Sequence, residues 1–164
     1  MRPLRPILIA LIATALAGCA SAPIFPATGN RIQATPQTVA ATPEHYHGTV
    51  LWGGRVIAVS NQADHSEIEI FAFPLDPAQR PQPDDIGGGR FIALMPGYVE
   101  RMNYPAGTLI TLTGELAGVR SGRVGEAAYV FPLVRVDKSH VWKAAELKAR
   151  SNVHFGIGVG IGIR

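Results

Sequence analysis

The decapeptide SEIEIFAFPL, Ser66 to Leu75, alternates strictly. Ile68, Ile70 and Ala72 fall on one side, and Glu67, Glu69, Phe71 and Phe73 on the other. Successive side chains of a strand point to opposite faces, so a period of two marks a half-buried strand. The segment before it, GTVLWGGRVIAVSNQ from Gly48 to Gln62, is rich in β-branched residues, and Asn61 to His65 is polar and turn-like. The two segments therefore read as a hairpin. Gly53-Gly54 in the first strand predicts a bulge or a sharp coil, because glycine inside a strand marks a bend or a close backbone approach.

The same reading continues along the chain. DPAQRPQPDDIGGG (Asp76 to Gly89) is a long loop, RFIALM a short strand and PGYVERMNYPAG a connection. TLITLTGELAG is an alternating strand, and SGRVGEAAYVFPLVRV supplies a last hairpin. WKAAELKAR is the one helical stretch, with Glu146 and Arg150 as an i,i+4 pair. The expected class is all-β: a small, OB-like, partly open barrel of five to six strands with one short C-terminal helix. With one cysteine in 164 residues no internal disulfide is available, and the core must hold by packing.

That cysteine, Cys19, closes a segment of distinctive build. Arg2 and Arg5 precede an apolar run from Ile7 to Ala17, and small residues follow. This is the order of a secretory signal peptide, and the run is about half the ~20 residues of a membrane-spanning helix. Leu16-Ala17-Gly18-Cys19 resembles the lipobox of bacterial lipoproteins. The resemblance implies cleavage before Cys19, a diacylglycerol thioether on its sulfur, and an acyl group such as palmitate on its new amine. Such chains hold a protein on a membrane without a spanning helix, since stable anchoring takes two or more lipid signals. Ala20 and Ser21 follow, with no aspartate at the second mature position. That pattern implies the outer membrane.

The expected organisation is a signal peptide over 1–18, a lipidated segment over 19–43, a β domain over 44–142, and a helix with a terminal strand over 143–164. Residues 20–43 are rich in Ala, Thr and Pro, with Arg31 as the one charge. They suit a tether lifting the domain off the membrane, or an arm lying along it with Ile24 and Phe25 tucked in. The chain carries 15 basic and 12 acidic residues, and two of the basic ones, Arg2 and Arg5, lie in the signal. What remains is close to balance, which argues against a nucleic-acid partner.

The β region resembles the Slp family, the starvation-inducible outer-membrane lipoproteins of Gram-negative bacteria. The residues carrying the likeness are GTVLWGGRVIAVSNQ, EIEIFAFPLD (Glu67 to Asp76), Arg80-Pro81, GRFIA (Gly89 to Ala93), YPAGTLITLTGELAG, GRVGEAAYVFPLV and the late Trp142. Gln79 departs from the pattern, standing where the resemblance implies glycine. What it implies is a lipid-anchored protein of the cell envelope associated with starvation and acid stress. It names no reaction.

The candidate chemistry is sparse. IGGGR (Ile86 to Arg90) runs into a strand, whereas a phosphate loop needs a following helix. His45 and His47 share a face if extended, yet no third ligand is evident for a metal. No cofactor and no metal are expected. Ser60, Ser66 and Ser121 lack a nucleophile-elbow setting, and Asp76, Asp84 and Asp85 sit in a loop that reads as solvated. The expectation is a non-enzymatic protein acting through an unidentified envelope protein or polymer. A glycan- or peptide-binding module is the alternative, and a hydrolase is a more distant one. OB-like barrels bind on the face of strands two and three, which nominates Phe71, Phe73, Arg90 and Phe91 as a ligand face. The same aromatics also suit a core.

The terminal FGIGVGIGIR, Phe155 to Arg164, alternates glycine with apolar residues and reads as a strand. It suits a sixth strand covering a barrel edge, or a self-associating edge that would make a homo-oligomer.

Overall fold

The computed structural model describes residues 22–26 and 29–148. Five strands form a closed barrel: β1 (Thr49–Asn61), β2 (His65–Phe73), β3 (Arg90–Pro96), β4 (Leu109–Val124) and β5 (Ala127–Val141). Their order around the barrel is β1-β2-β3-β5-β4, with β4 returning to β1. All pairings are antiparallel except that of β3 with β5, a short parallel seam from Ile92↔Leu133 to Leu94↔Arg135. This seam closes the barrel that the sequence suggested would be partly open. Each described strand consequently has a neighbour on both sides.

The long first strand serves two partners. Residues 49–55 pair with β4 and residues 53–61 with β2, so Gly53 and Gly54 are paired on both sides at once. A Cβ at Gly54 would overlap the Phe71 carbonyl, and one at Gly53 would sit 2.8 Å from the Ile110 oxygen. The glycine pair thus marks close backbone approach where the strand coils between its partners. The register shift itself lies further along, between Val56 and Ala58. β4 runs without interruption through Val124, so the strand and the first arm of the hairpin expected separately are one element with a register shift between Leu116 and Val119.

Burial along β2 alternates residue by residue, with Ile68, Ile70 and Ala72 inside, as its sequence period predicts. They meet Val50, Trp52 and Val56 of β1, Ala93 and Met95 of β3, Ile110 and Leu112 of β4, and Val134 and Val136 of β5. Phe91 is also inside, 0 % exposed and edge-on to Trp52 with ring centroids 5.2 Å apart.

The segment ahead of the barrel is built into it. The Ile32 amide donates to the Thr49 carbonyl at 2.9 Å, and Trp52 Nε1 donates to the Ala34 carbonyl at 2.8 Å. A six-residue helix, α1 (Pro36–Ala41), follows with Thr35 as its N-cap: the Thr38 amide donates to Thr35 Oγ1 at 3.2 Å. Val39 of α1 is buried in the barrel core, and the helix packs on β5 and β3. Sequence period did not reveal α1 because six residues span under two turns. Its only local signal is the cap-then-proline pair Thr35-Pro36. At the other end, α2 (Ala144–Lys148) is helical as expected, but Glu146 turns back to accept from the Lys143 amide at 2.8 Å. Arg150, its expected partner, lies outside the described residues, as does the glycine-alternating segment 155–164 expected to be a strand.

Candidate ligand site

The outer surface of β2 and β3 carries three of the four residues nominated from sequence. Phe71 and Phe73 project outward and meet edge-on at 5.2 Å, and the Arg55 guanidinium lies 5.7 Å from the centre of the Phe73 ring. Arg90 is held twice: its Nη1 donates to Glu69 Oε1 at 2.5 Å, and its backbone amide donates to the Tyr129 hydroxyl at 2.7 Å. Phe91 is a correction. Neighbouring residues in a strand face opposite sides, so Arg90 and Phe91 cannot share a surface, and it is Phe91 that fills the core.

Phe71 is not an open stacking platform. The loop before β3 returns over it: the Gly88 amide donates to the Ala72 carbonyl at 2.9 Å, and a Cβ at Gly87 would overlap the Phe71 ring. The backbone at Gly87 therefore packs directly on that ring.

Further along the same surface, His65 Nδ1 lies 2.6 Å from Asp64 Oδ1, and its Nε2 lies 3.2 Å from Glu67 Oε1. Glu67 in turn accepts two hydrogen bonds of 2.8 Å from the Arg120 guanidinium, tying β2 to β4. The Asp64 hydrogen bond, aided by Glu67, raises the His65 pKa above its ordinary 6.5. The Arg120 hydrogen bonds hold the Glu67 carboxyl below its usual range against the cost of burial. This is a structural clamp between strands, and its ions satisfy one another.

A cavity of about 560 Å³ opens between the N-terminal arm (31–37), the middle of β1 (51–53), the end of β2 with its following residues (72–75), and the loop at 86–88. Leu51, Phe73, Leu75 and Ile86 give it apolar walls, and Ile86 is 92 % exposed. Arg31 also lines it, donating from Nη2 to the Pro26 carbonyl at 2.6 Å, while its buried Nε has no hydrogen-bond partner. Of the nominated face, Phe73 alone reaches this cavity. Sequence reasoning missed the site because two of its walls come from segments read as loop and tether. The signal available was Arg31, the single charge in an otherwise neutral segment.

A buried polar relay joins Trp142 to Phe25. Trp142 Nε1 donates to Thr111 Oγ1 at 2.9 Å, and Thr111 Oγ1 donates to the Gln79 carbonyl at 2.7 Å. The Gln79 side chain then holds both backbone polar groups of Phe25. Arg80 stacks over Trp142 at 5.5 Å.

The remaining candidates are dispersed. His45 sits 3.7 Å from Glu44 in an exposed pair, and His47 is exposed. Asp84 and Asp85 are exposed, whereas Asp76 accepts from the Arg80 amide at 2.9 Å. Among the described residues no three His, Cys, Asp or Glu side chains converge as metal ligands would. Leu16, Ala17, Gly18 and Cys19 lie outside the described residues.

The model of the outer membrane lipoprotein Slp family matches residues 16–157 of this chain. The chain belongs to the Slp family. Similar proteins include the uncharacterized lipoprotein YeaY of Escherichia coli (strain K12), 29 % identical over 141 residues, covering 85 % of this chain and 72 % of that protein. The outer membrane protein Slp of the same organism is 29 % identical over 143 residues, covering 85 % and 76 %. An uncharacterized protein of Haemophilus influenzae is 33 % identical over 95 residues, covering 57 % of this chain and 51 % of its own length. The Slp match thus takes in the cysteine motif, the arm, the whole barrel and Trp142.

Proposed function

We propose that this Slp-family protein is acylated on Cys19, held by its lipid in the outer membrane, and serves the envelope under stress by binding rather than by turnover. The observation that carries the reading is Leu16-Ala17-Gly18-Cys19, placed at the start of the family match. Family membership supports the outer membrane, and Ala20-Ser21 behind the cysteine fits that destination.

The fold adds a distance. Phe25 is already fixed to the domain through Gln79, so five residues, or six residue-to-residue steps, separate the lipidated position from this anchored one. An extended chain spans at most about 3.3–3.6 Å per residue, which keeps the barrel within roughly 20 Å of the bilayer surface. The protein then works against the membrane rather than at the end of a long tether. Catalysis has little to build on, since Asp84 and Asp85 are solvated and the Glu67–Arg120 ion pair ties strands together. Glycan or peptide binding across Phe71, Phe73 and Arg90 meets an obstacle in the Gly87 backbone on the Phe71 ring.

The test is metabolic labelling with an alkyne-bearing palmitate, followed by membrane fractionation of wild type and Cys19→Ser. Wild type should label and sediment with the outer membrane, and the variant should do neither, because serine forms no thioether. Equal labelling of both would overturn the proposal.

A further inference from the structure

We propose that the cavity under the N-terminal arm binds a single-chain amphiphile with an anionic head, a fatty-acid-like molecule. Its carboxylate would sit on Arg31 and its tail along Leu51, Phe73, Leu75 and Ile86.

The head is assigned by charge. Arg31 is a cation in a site that no carboxylate among the described residues lines. Guanidinium offers five N–H donors in a planar fork, and the structure uses Nη2 on the Pro26 carbonyl while Nε is buried without a partner. The Nη donors not used on Pro26 remain for a carboxylate, and a hydrogen bond between two charged groups is about twice as strong as one between neutral groups. A neutral head would leave the charge unanswered, and a bare anion would leave the rest of the cavity to water.

The tail is assigned by the walls. They are aliphatic and aromatic, and the volume of about 560 Å³ falls within the roughly 300–1,000 Å³ of small-molecule sites. Ile86 stands 92 % exposed at the mouth, and a seated chain would take it out of water. Gly87 and Gly88 keep the loop backbone against the barrel, so the mouth stays formed without a ligand. The source is assigned by position, because a barrel held within roughly 20 Å of a bilayer has single-chain lipids at hand. This last step rests on the anchoring reading, which fractionation tests separately; ligand capture does not depend on whether Cys19 is acylated.

The experiment is photo-crosslinking of the full protein in detergent-solubilised whole-cell extract, which holds the protein whether or not it is anchored, with a diazirine-bearing sixteen-carbon fatty acid, mapped by peptide mass spectrometry. Crosslinks should concentrate on Leu51, Phe73, Leu75 and Ile86. Arg31→Gln should lower capture roughly tenfold, the value of a charge-assisted hydrogen bond. The alcohol of the same length should label as weakly as that variant does, and Leu51→Trp, which fills the cavity, should abolish capture. Arg31→Gln changes a side chain on the arm and leaves the barrel core intact, so it remains informative if Leu51→Trp does not fold. Crosslinks scattered over the surface, capture unchanged in Arg31→Gln, equal labelling by the alcohol, or preferential capture of a two-chain photoreactive phosphatidylglycerol would each overturn the proposal.

Discussion

Gln79 holds Phe25 by both of its backbone polar groups: the Phe25 amide donates to Gln79 Oε1 at 2.8 Å, and Gln79 Nε2 donates to the Phe25 carbonyl at 2.8 Å. Gln79 is also the one described non-glycine residue with positive φ, at 67°. The resemblance implied glycine here, and the backbone shows why, since a left-handed residue carries a steric cost that glycine escapes. In this chain the glutamine side chain offsets that cost by pinning the arm, 54 positions away.

Gln79→Ala should be the worst change at this position, because it keeps the strained backbone and leaves two buried groups of Phe25 unpaired, at about 1–3 kcal/mol each. Gln79→Gly loses the same hydrogen bonds but relieves the backbone by roughly 1 kcal/mol or more. Urea denaturation should rank wild type above Gln79→Gly, and that above Gln79→Ala. Limited proteolysis should cut the arm faster in both variants. Equal stability of all three would show that the clamp contributes nothing.

Thr111→Val keeps the shape of a side chain that is 0 % exposed and removes its hydroxyl. The Trp142 indole N–H and the Gln79 carbonyl then lose their common partner, at about 1–3 kcal/mol for each group left unsatisfied. The melting temperature should fall clearly, and the emission of Trp142 should change. A melting temperature within error of wild type would contradict the relay.

Gly54→Ala and Gly114→Ala test the close approaches that let the strands coil. A Cβ at Gly54 would overlap the Phe71 carbonyl, and one at Gly114 would overlap that of Arg135. Backbone cannot move aside as a side chain can, so both variants should be strongly destabilised, by more than the 1–3 kcal/mol usual for overpacking. Gly87→Ala should be milder, since its Cβ meets the Phe71 side chain rather than backbone, and a ring can turn where a carbonyl cannot. Wild-type melting behaviour of Gly54→Ala would mean that the strands pair less closely than described.

The Asp64–His65–Glu67 cluster gives stability a defined pH window. The raised His65 pKa contributes stability that is complete below the ordinary 6.5 and is lost as pH rises through the higher folded value. The lowered Asp64 and Glu67 values contribute stability that is complete above their ordinary 3.8 and 4.5 and is lost as pH falls through the folded values. The difference in melting temperature between wild type and His65→Gln should therefore shrink between about pH 6 and about pH 8. A difference that stays constant or grows over that range would contradict the ion pairing.

What could be read from the sequence follows from how local its cause is. The inward set Ile68, Ile70 and Ala72 was legible because strand period needs no partner to be seen. Gly53-Gly54 announced a coil, while the register shift beyond Val56 had no residue to announce it. Phe91 was misplaced beside Arg90 by grouping neighbours in sequence, although the parity within RFIALM already separates them. The cavity and the clamp on Phe25 were not legible, because they join residues of the arm to a loop that lies more than fifty positions on. Their traces were a lone arginine and a glutamine in a glycine position.

The central claim, a barrel carried close to the outer membrane by lipid on Cys19, is tested most directly by the N-terminal peptide of the protein isolated from membranes. Mass spectrometry should find a peptide that begins at Cys19, with a diacylglycerol on its sulfur and an acyl chain on its amine. A peptide that begins at Met1, or an unmodified Cys19 thiol in membrane-derived protein, would contradict it.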